Sequence, residues 1–197
     1  MRRVILSMVV FSAIVCAAVA GTTRANAALL PNCGTTSPVF KPWSDSSGYY
    51  FAANGGFENQ ATGWTLAGGA SVVSGNDPYN LSGAGSHALL LKAGASASIN
   101  VCYGLTYPAV RFVAAGAGGP AVVHVRIISR GLLGVLSTLD GGTFTVPAGW
   151  NAAPKLSTLF SAVTAPLAAK SMTIQISVDS GSAYIDDLFV DPLFTKA

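Results

Sequence analysis

The sequence predicts an all-β domain: a sandwich or barrel of eight or nine short antiparallel strands. Three observations carry this. Two segments alternate with period two: Val123, Val125 and Ile127 against His124 and Arg126 in 122–129, and Met172, Ile174, Ile176 and Val178 against Thr173, Gln175, Ser177 and Asp179 in 172–179. Such alternation gives a strand one apolar face and one wet face. From Phe57 onward, short apolar segments are separated by Gly, Pro, Asn or Asp, and the 22 Gly of 197 residues suit many tight turns. No segment carries a long 3.6-residue apolar stripe. Residues 152–169 are rich in Ala and Leu, but Pro154 and Pro166 argue against a long helix there.

Taken in order, the chain opens with an export signal. Met1-Arg2-Arg3 is a short positive region, residues 4–21 are apolar except for Ser7 and Ser12, and Ala25-Asn26-Ala27 supplies the small-x-small site for cleavage before Ala28. Ala18-Val19-Ala20 offers a second cut, and Val15 ahead of Cys16 does not suit a lipid attachment site. Residues 28–53 form an irregular arm broken by Pro31, Pro38 and Pro42, with a turn at 44–48. Further strands are expected at 64–73, 88–91, 96–102, 110–114, 132–139, 156–162 and 183–190. Residues 54–197 form one domain, with no internal repeat and no linker. After cleavage the protein is expected to be secreted and monomeric, with no membrane insertion.

The charge balance excludes one class of partner. Residues 1–27 hold three of the 11 Lys and Arg and no acid, so residues 28–197 hold eight bases and eight acids and are formally neutral. Binding to nucleic acid rests on a surplus of Lys and Arg facing phosphates, and none is present. Export places Cys33 and Cys102, the two cysteines beyond the signal, in an oxidising compartment, where they are expected to pair.

Two motifs narrow the sandwich. Asn54-Gly55-Gly56-Phe57-Glu58 followed by Gly63-Trp64-Thr65-Leu66, and the closing Tyr184-Ile185-Asp186-Asp187-Leu188-Phe189-Val190, resemble the jelly-roll carbohydrate-binding modules of the galactose-binding-like superfamily. A wider string, running from Cys33 through 39–45, 54–58 and 68–76 to Cys102 and 107–112, resembles a group of secreted proteins of high-GC Gram-positive bacteria for which no activity is established. The first resemblance implies a jelly-roll β-sandwich with its first and last strands adjacent. It also implies a structural Ca2+ site with Glu58 and Asp187 as ligands, joined by Asp186, because converging carboxylates suit a hard cation with oxygen ligands. On strict alternation Asp187 shares a face with Ile185 and Phe189. The other reading of these acids is a solvated Asp186 and an Asp187 that accepts local hydrogen bonds.

A glycan-binding function needs aromatic platforms and planar polar groups. Trp150, in the loop 147–151, is the first choice of platform, with Tyr79, Trp43, Tyr49 and Tyr50 behind it. Trp64 is expected in the core. His124, Arg126, Thr173, Gln175 and Ser177, with Arg111, form the expected polar face. Catalysis is not expected. Only His87 and His124 are available as imidazole bases, no G-x-S-x-G elbow surrounds a Ser, and Glu58 is the single Glu among the scattered acids Asp77, Asp140 and Asp179. The sequence therefore supports a non-catalytic binding domain for an extracellular or cell-envelope carbohydrate. The alternative is a structural or protein-interaction domain of the envelope without a sugar site.

Overall fold

A computed structural model describes residues 33–104, 107–131, 136–157 and 169–192. The expected export segment 1–27 lies outside the described residues, as do most of the expected strand 156–162 and the first half of 132–139. Among the described residues, eleven strands form two antiparallel sheets. The first sheet runs, in spatial order, β3 (Ser71–Ser74), β4 (His87–Lys92), β11 (Ser182–Asp191), β6 (Ala109–Gly116) and β9 (Asn151–Ala152), and β1 (Tyr50–Phe51) pairs with the C-terminal end of β11. The second runs β2 (Trp64–Ala67), β5 (Ser96–Val101), β10 (Ala169–Ser180), β7 (Ala121–Gly131) and β8 (Leu136–Val146). Among the described residues no helix is long and apolar enough to cross a membrane.

The two alternating segments occupy the middle of the second sheet. Val123, Val125 and Ile127 of β7 and Met172, Ile174, Ile176 and Val178 of β10 are buried, and they meet Leu89, Leu91, Val110, Phe112, Ala114 and Ile185 of the first sheet in one core. Burying each of the Val, Leu, Ile, Met and Phe side chains contributes about 1.5–3 kcal/mol. The opening and closing motifs are joined directly. The Leu188 N–H donates to the Gly55 carbonyl at 3.1 Å, and the Ala52 N–H donates to the Leu188 carbonyl at 3.0 Å. A Cβ on Gly55 would lie 2.7 Å from that Leu188 oxygen, so only glycine lets the backbones approach. Phe57 is buried beside Trp64 at a ring separation of 4.8 Å, and Trp64 lies in the core as expected.

Three strand expectations change. The segment 64–73 is two strands, β2 and β3, in different sheets. Gly68, at φ +66°, turns the chain so close to the Gly94 carbonyl that a Cβ would stand 2.6 Å from its oxygen. β8 continues past Asp140 to Val146 across a bulge opposite Val125 and Arg126, although Gly141-Gly142 reads locally as a turn. β11 bulges too: Asp187 and Leu188 together oppose the span of β6 between Arg111 and Val113, with Asp187 at φ +48°. The extra residue resets the alternation. Ala183 and Ile185 face the core before it, and Leu188 and Val190 after it, so Asp187 does not share a face with both Ile185 and Phe189.

The segment 33–51 packs on the outer face of the first sheet. Phe40, Tyr49 and Phe189 form a second small apolar cluster there, flanked by Val39, Trp43, Leu81 and Ala152. Arg111, expected on an open polar face, is instead buried under this segment. Its Nη1 donates to Asp45 Oδ2 at 2.9 Å, its Nε donates to the Ala153 carbonyl at 2.7 Å, and its guanidinium lies 4.8 Å from the Phe40 ring centre. Every residue of β6 is buried because the core covers one face and the arm the other. The Cys33–Cys102 disulfide ties the arm to the end of β5 across a sequence separation of 69. Opening it is expected to cost about 4 kcal/mol by the loop-entropy relation. Urea unfolding with and without reductant, and of the Cys33→Ser/Cys102→Ser protein, measures that loss.

Candidate functional site

Among the described residues, no segment packs over the outer face of the second sheet. Register places one transverse row across all five strands: Thr65, Ser98, Gln175, Arg126 and Asp140. A neighbouring row carries Asn100, Thr173, Ile128 and Thr138, and another carries Ser96, Ser177, His124 and Thr143. All of these side chains are half-buried or exposed. The row residues are partly braced. Arg126 Nη1 donates to Ser177 Oγ at 3.2 Å, Thr173 Oγ1 donates to Asn100 Oδ1 at 2.6 Å, and His124 Nε2 stands 2.9 Å from Asp140 Oδ1 with Asp179 Oδ2 3.6 Å from its other nitrogen. The Gly142 N–H and His124 hold the Asp140 carboxyl below its usual range. The alternation of 122–129 continues to Arg130, a signal by which that residue could have been placed on this face from the sequence.

Trp150 and Tyr79 lie on the opposite side of the sandwich, so the five expected ligand residues do not form one site. The Tyr79 hydroxyl donates to the Trp150 carbonyl at 2.9 Å. Tyr79 also meets Trp43 edge-on at 4.9 Å, and Trp150 lies 6.1 Å from Tyr184 on the outer face of β11. Tyr79 is 39% exposed, whereas Trp43 and Trp150 are half-buried. Of the other platform candidates, Tyr49 is buried with its hydroxyl on Asp45 Oδ2, and the Tyr50 hydroxyl donates to the Cys102 carbonyl.

The β11 bulge opens between β4 and β1, where that edge of the sheet has no strand partner among the described residues, and an acidic cluster fills the gap. Asp77, Asp186 and Asp187 are all buried, and each contributes a carboxylate oxygen within 4.8 Å of the others. Asp186 accepts from the N–H groups of Asp77 and Asp187, and Asp187 accepts from the Ser82 hydroxyl and N–H. Asp77 Oδ1 accepts from the N–H groups of Tyr79 and Asn80, while its Oδ2 is buried without a hydrogen-bond partner among the described residues. Burial, reinforced by the charge of Asp187, pushes the Asp77 carboxyl up to about 6. Burial, reinforced by the charges of Asp187 and Asp77, pushes Asp186 up to about 7.

Glu58 is not part of this cluster. Its carboxylate accepts from the N–H groups of Ser86 and His87 and lies 3.0 Å from Ser86 Oγ and 3.3 Å from His87 Nδ1. Burial alone would raise this acid, but these bonds together hold it at about 2. Ser86 Oγ also meets His87 Nδ1, at 3.0 Å. One imidazole nitrogen thus faces both partners, whereas a Ser–His–acid relay uses one nitrogen for each. The group clasps the loop ahead of β4. Glu58 and Asp187 do line a common cleft of about 240 Å³ with Asn54, Asn76 and Ser82. Sequence reasoning did not bring Asp77 to the closing acids; the turn-forming Asn76-Asp77-Pro78 was the available signal.

No family model matches the chain, and no curated protein matches it. Solved structures do match in fold. The family 22 carbohydrate-binding module and glycoside hydrolase modules of Clostridium thermocellum xylanase 10B, complexed with xylohexaose, align at a TM-score of 0.55 with 17% identity, covering 75% of this chain and 29% of that one. The C-terminal family 22 module of the same enzyme aligns at 0.50 with 18% identity, covering 75% and 96%. A xylan-binding domain from Paenibacillus barcinonensis Xyn10C aligns at 0.51 with 15% identity, covering 72% and 93%. At such identities the likeness concerns the fold. This chain shares the jelly-roll β-sandwich fold of those modules.

Proposed function

We propose that this protein is a secreted, monomeric, non-catalytic glycan-binding domain and that the outer face of its second sheet carries the ligand. The observation behind the reading is an asymmetry between the two sheets. The arm and its aromatics cover much of the first sheet's outer face, while Arg126, Gln175, His124, Thr173 and Asn100 stand on an open face of the other. Planar amide and guanidinium groups in register match rows of sugar hydroxyls. The disulfide and the resemblance to secreted bacterial proteins support an extracytoplasmic location. Affinity electrophoresis in gels containing soluble xylan, galactan or acidic polysaccharide tests the glycan reading. Arg126→Ala/Gln175→Ala abolishes retardation and Trp150→Ala does not; retardation unchanged by the double substitution rejects the face. Its outward positions carry no Phe, Tyr or Trp among the described residues to stack on a sugar, and a protein-binding surface is the second reading. Absence of binding to every glycan would select that reading.

The same proposal assigns a structural Ca2+ to Asp77, Asp186 and Asp187 rather than to Glu58. The donor set fits: three converging carboxylates, one with a buried oxygen that lacks a partner. A bound cation there would supply the opposing charge for acids that burial otherwise drives toward protonation. The Asp77 turn would then hold the loop that carries Tyr79 onto β11.

A further inference from the structure

We propose that the Arg130 end of the second sheet is a subsite for an oxyanion on the glycan, the carboxylate of an acidic sugar or a sulfate ester, so that the ligand is an acidic polysaccharide. This rests on the reading of that face as the ligand face and adds the ligand's chemical class. A cavity of about 280 Å³ lies there, lined by Asn100, Ile128, Arg130, Ser171 and Thr173. Among its side chains the Arg130 guanidinium, the Ser171 hydroxyl and the Asn100 amide can donate, and the lining holds no carboxylate. Thr173 donates to Asn100 Oδ1, which satisfies that oxygen and leaves the Asn100 amide N–H groups as donors. Ile128 supplies an apolar floor against which the C–H edge of a pyranose can rest.

Among the described residues, no acid neutralises the charge of Arg130 from nearby. None of the ion pairs among the described residues uses it. The acids of this face, Asp140 and Asp179, flank His124 at its other end. Asp140 is in register with Arg126, four residues from Arg130 along β7, or about 13 Å at the strand rise. That exceeds the Debye length of about 8 Å at physiological salt. The face is therefore polarised along its length, acidic around His124 and basic at Arg130, although residues 28–197 are neutral overall. A planar guanidinium among hydroxyl and amide donors matches the two oxygens of a carboxylate.

The test is titration calorimetry with polygalacturonate, with a sulfated galactan lacking carboxylates, and with neutral xylan, each at low and physiological salt. Wild type binds one acidic polymer more tightly than the neutral one, and salt narrows the difference; which acidic polymer binds identifies the oxyanion. Arg130→Gln lowers affinity for that polymer about three- to tenfold and leaves the neutral one unchanged. Lys92→Gln, which removes the same charge from an exposed end of β4, changes neither. The subsite is overturned if Arg130→Gln binds the acidic polymer like wild type, or if Lys92→Gln loses as much. Neutral polymer bound equally well and weakened by Arg126→Ala would overturn the subsite while keeping the glycan face. Binding to none of the polymers would remove both.

Discussion

Arg111→Ala is expected to destabilise the protein by about 3–5 kcal/mol, the cost of leaving a buried charge without its partner. Arg111 and Asp45 are 7% and 5% exposed, and Asp45 also accepts from the Tyr49 hydroxyl at 2.6 Å and from the Ser47 N–H at 3.0 Å. Burial alone would raise the Asp45 carboxyl, but the bonds from Tyr49, Ser47 and Arg111 outweigh it and hold it at about 2. Removing the guanidinium leaves this buried carboxylate without its counter-charge. The arm should then detach before the sandwich unfolds, because its remaining anchors are a small apolar cluster, β1, the disulfide and the Lys155 amine, which reaches Ser47 and Asp191. Limited proteolysis of Arg111→Ala should therefore cut within 37–50 under conditions that spare wild type. The double variant Asp45→Asn/Arg111→Met should recover much of the loss, since no buried charge remains. An Arg111→Ala protein as stable and as protease-resistant as wild type would show that the pair does not hold the arm. Since the folded Asp45 titrates below the unfolded value of 3.8, its contribution is present above about pH 4 and is lost as pH falls through about 2.

The acidic cluster gives the second large effect, with the opposite sign. Asp186 titrates at about 7 in the folded chain against 3.8 for an ordinary Asp. Between those values the folded state binds more protons than the unfolded state, so stability falls as pH rises. For a side chain 1% exposed, that shift corresponds to about 4 kcal/mol lost by neutral pH. Chelator-treated protein should therefore melt lower at pH 8 than at pH 5, and added Ca2+ should remove the difference. In the Asp77→Asn protein, an amide nitrogen replacing the unpartnered Oδ2 can donate toward Asp187. Without metal, this protein should gain about 2 kcal/mol at pH 8, or about 5 °C in Tm, and should lose its response to Ca2+. Glu58→Gln should keep that response, because Glu58 engages Ser86 and His87 instead. Calorimetric melting with and without chelator measures all three proteins. A wild-type Tm indifferent to Ca2+ at pH 8 would end the cation assignment.

These effects come from contacts that the chain makes across long separations, and that is where the sequence reading changed most. Alternation in 122–129 and 172–179 placed the core and the wet face correctly, because side-chain direction on a strand is set residue by residue by the pleat. The same logic failed at 186–188, where one inserted residue shifts every later side chain to the other face. It failed again at Arg111, on the outer face of its strand, because alternation does not report which outer face another segment covers. The opening and closing motifs led to Asp186 and Asp187, but the third acid, Asp77, arrives on a loop more than a hundred residues away. Trp150 and Tyr79 were grouped with Arg126 and Gln175 by chemical type, and the sandwich sets them on opposite sides.

Local pattern was enough to establish an all-β domain, its core strands and the polar row of its second sheet, since period and turn chemistry act over a few residues. Tertiary structure alone decided that the arm buries Arg111, that three aspartates converge at a bulge, and that Arg130 ends a face with no acid beside it. Those facts depend on which distant segments share a surface, and burial and screening act through space rather than along the chain.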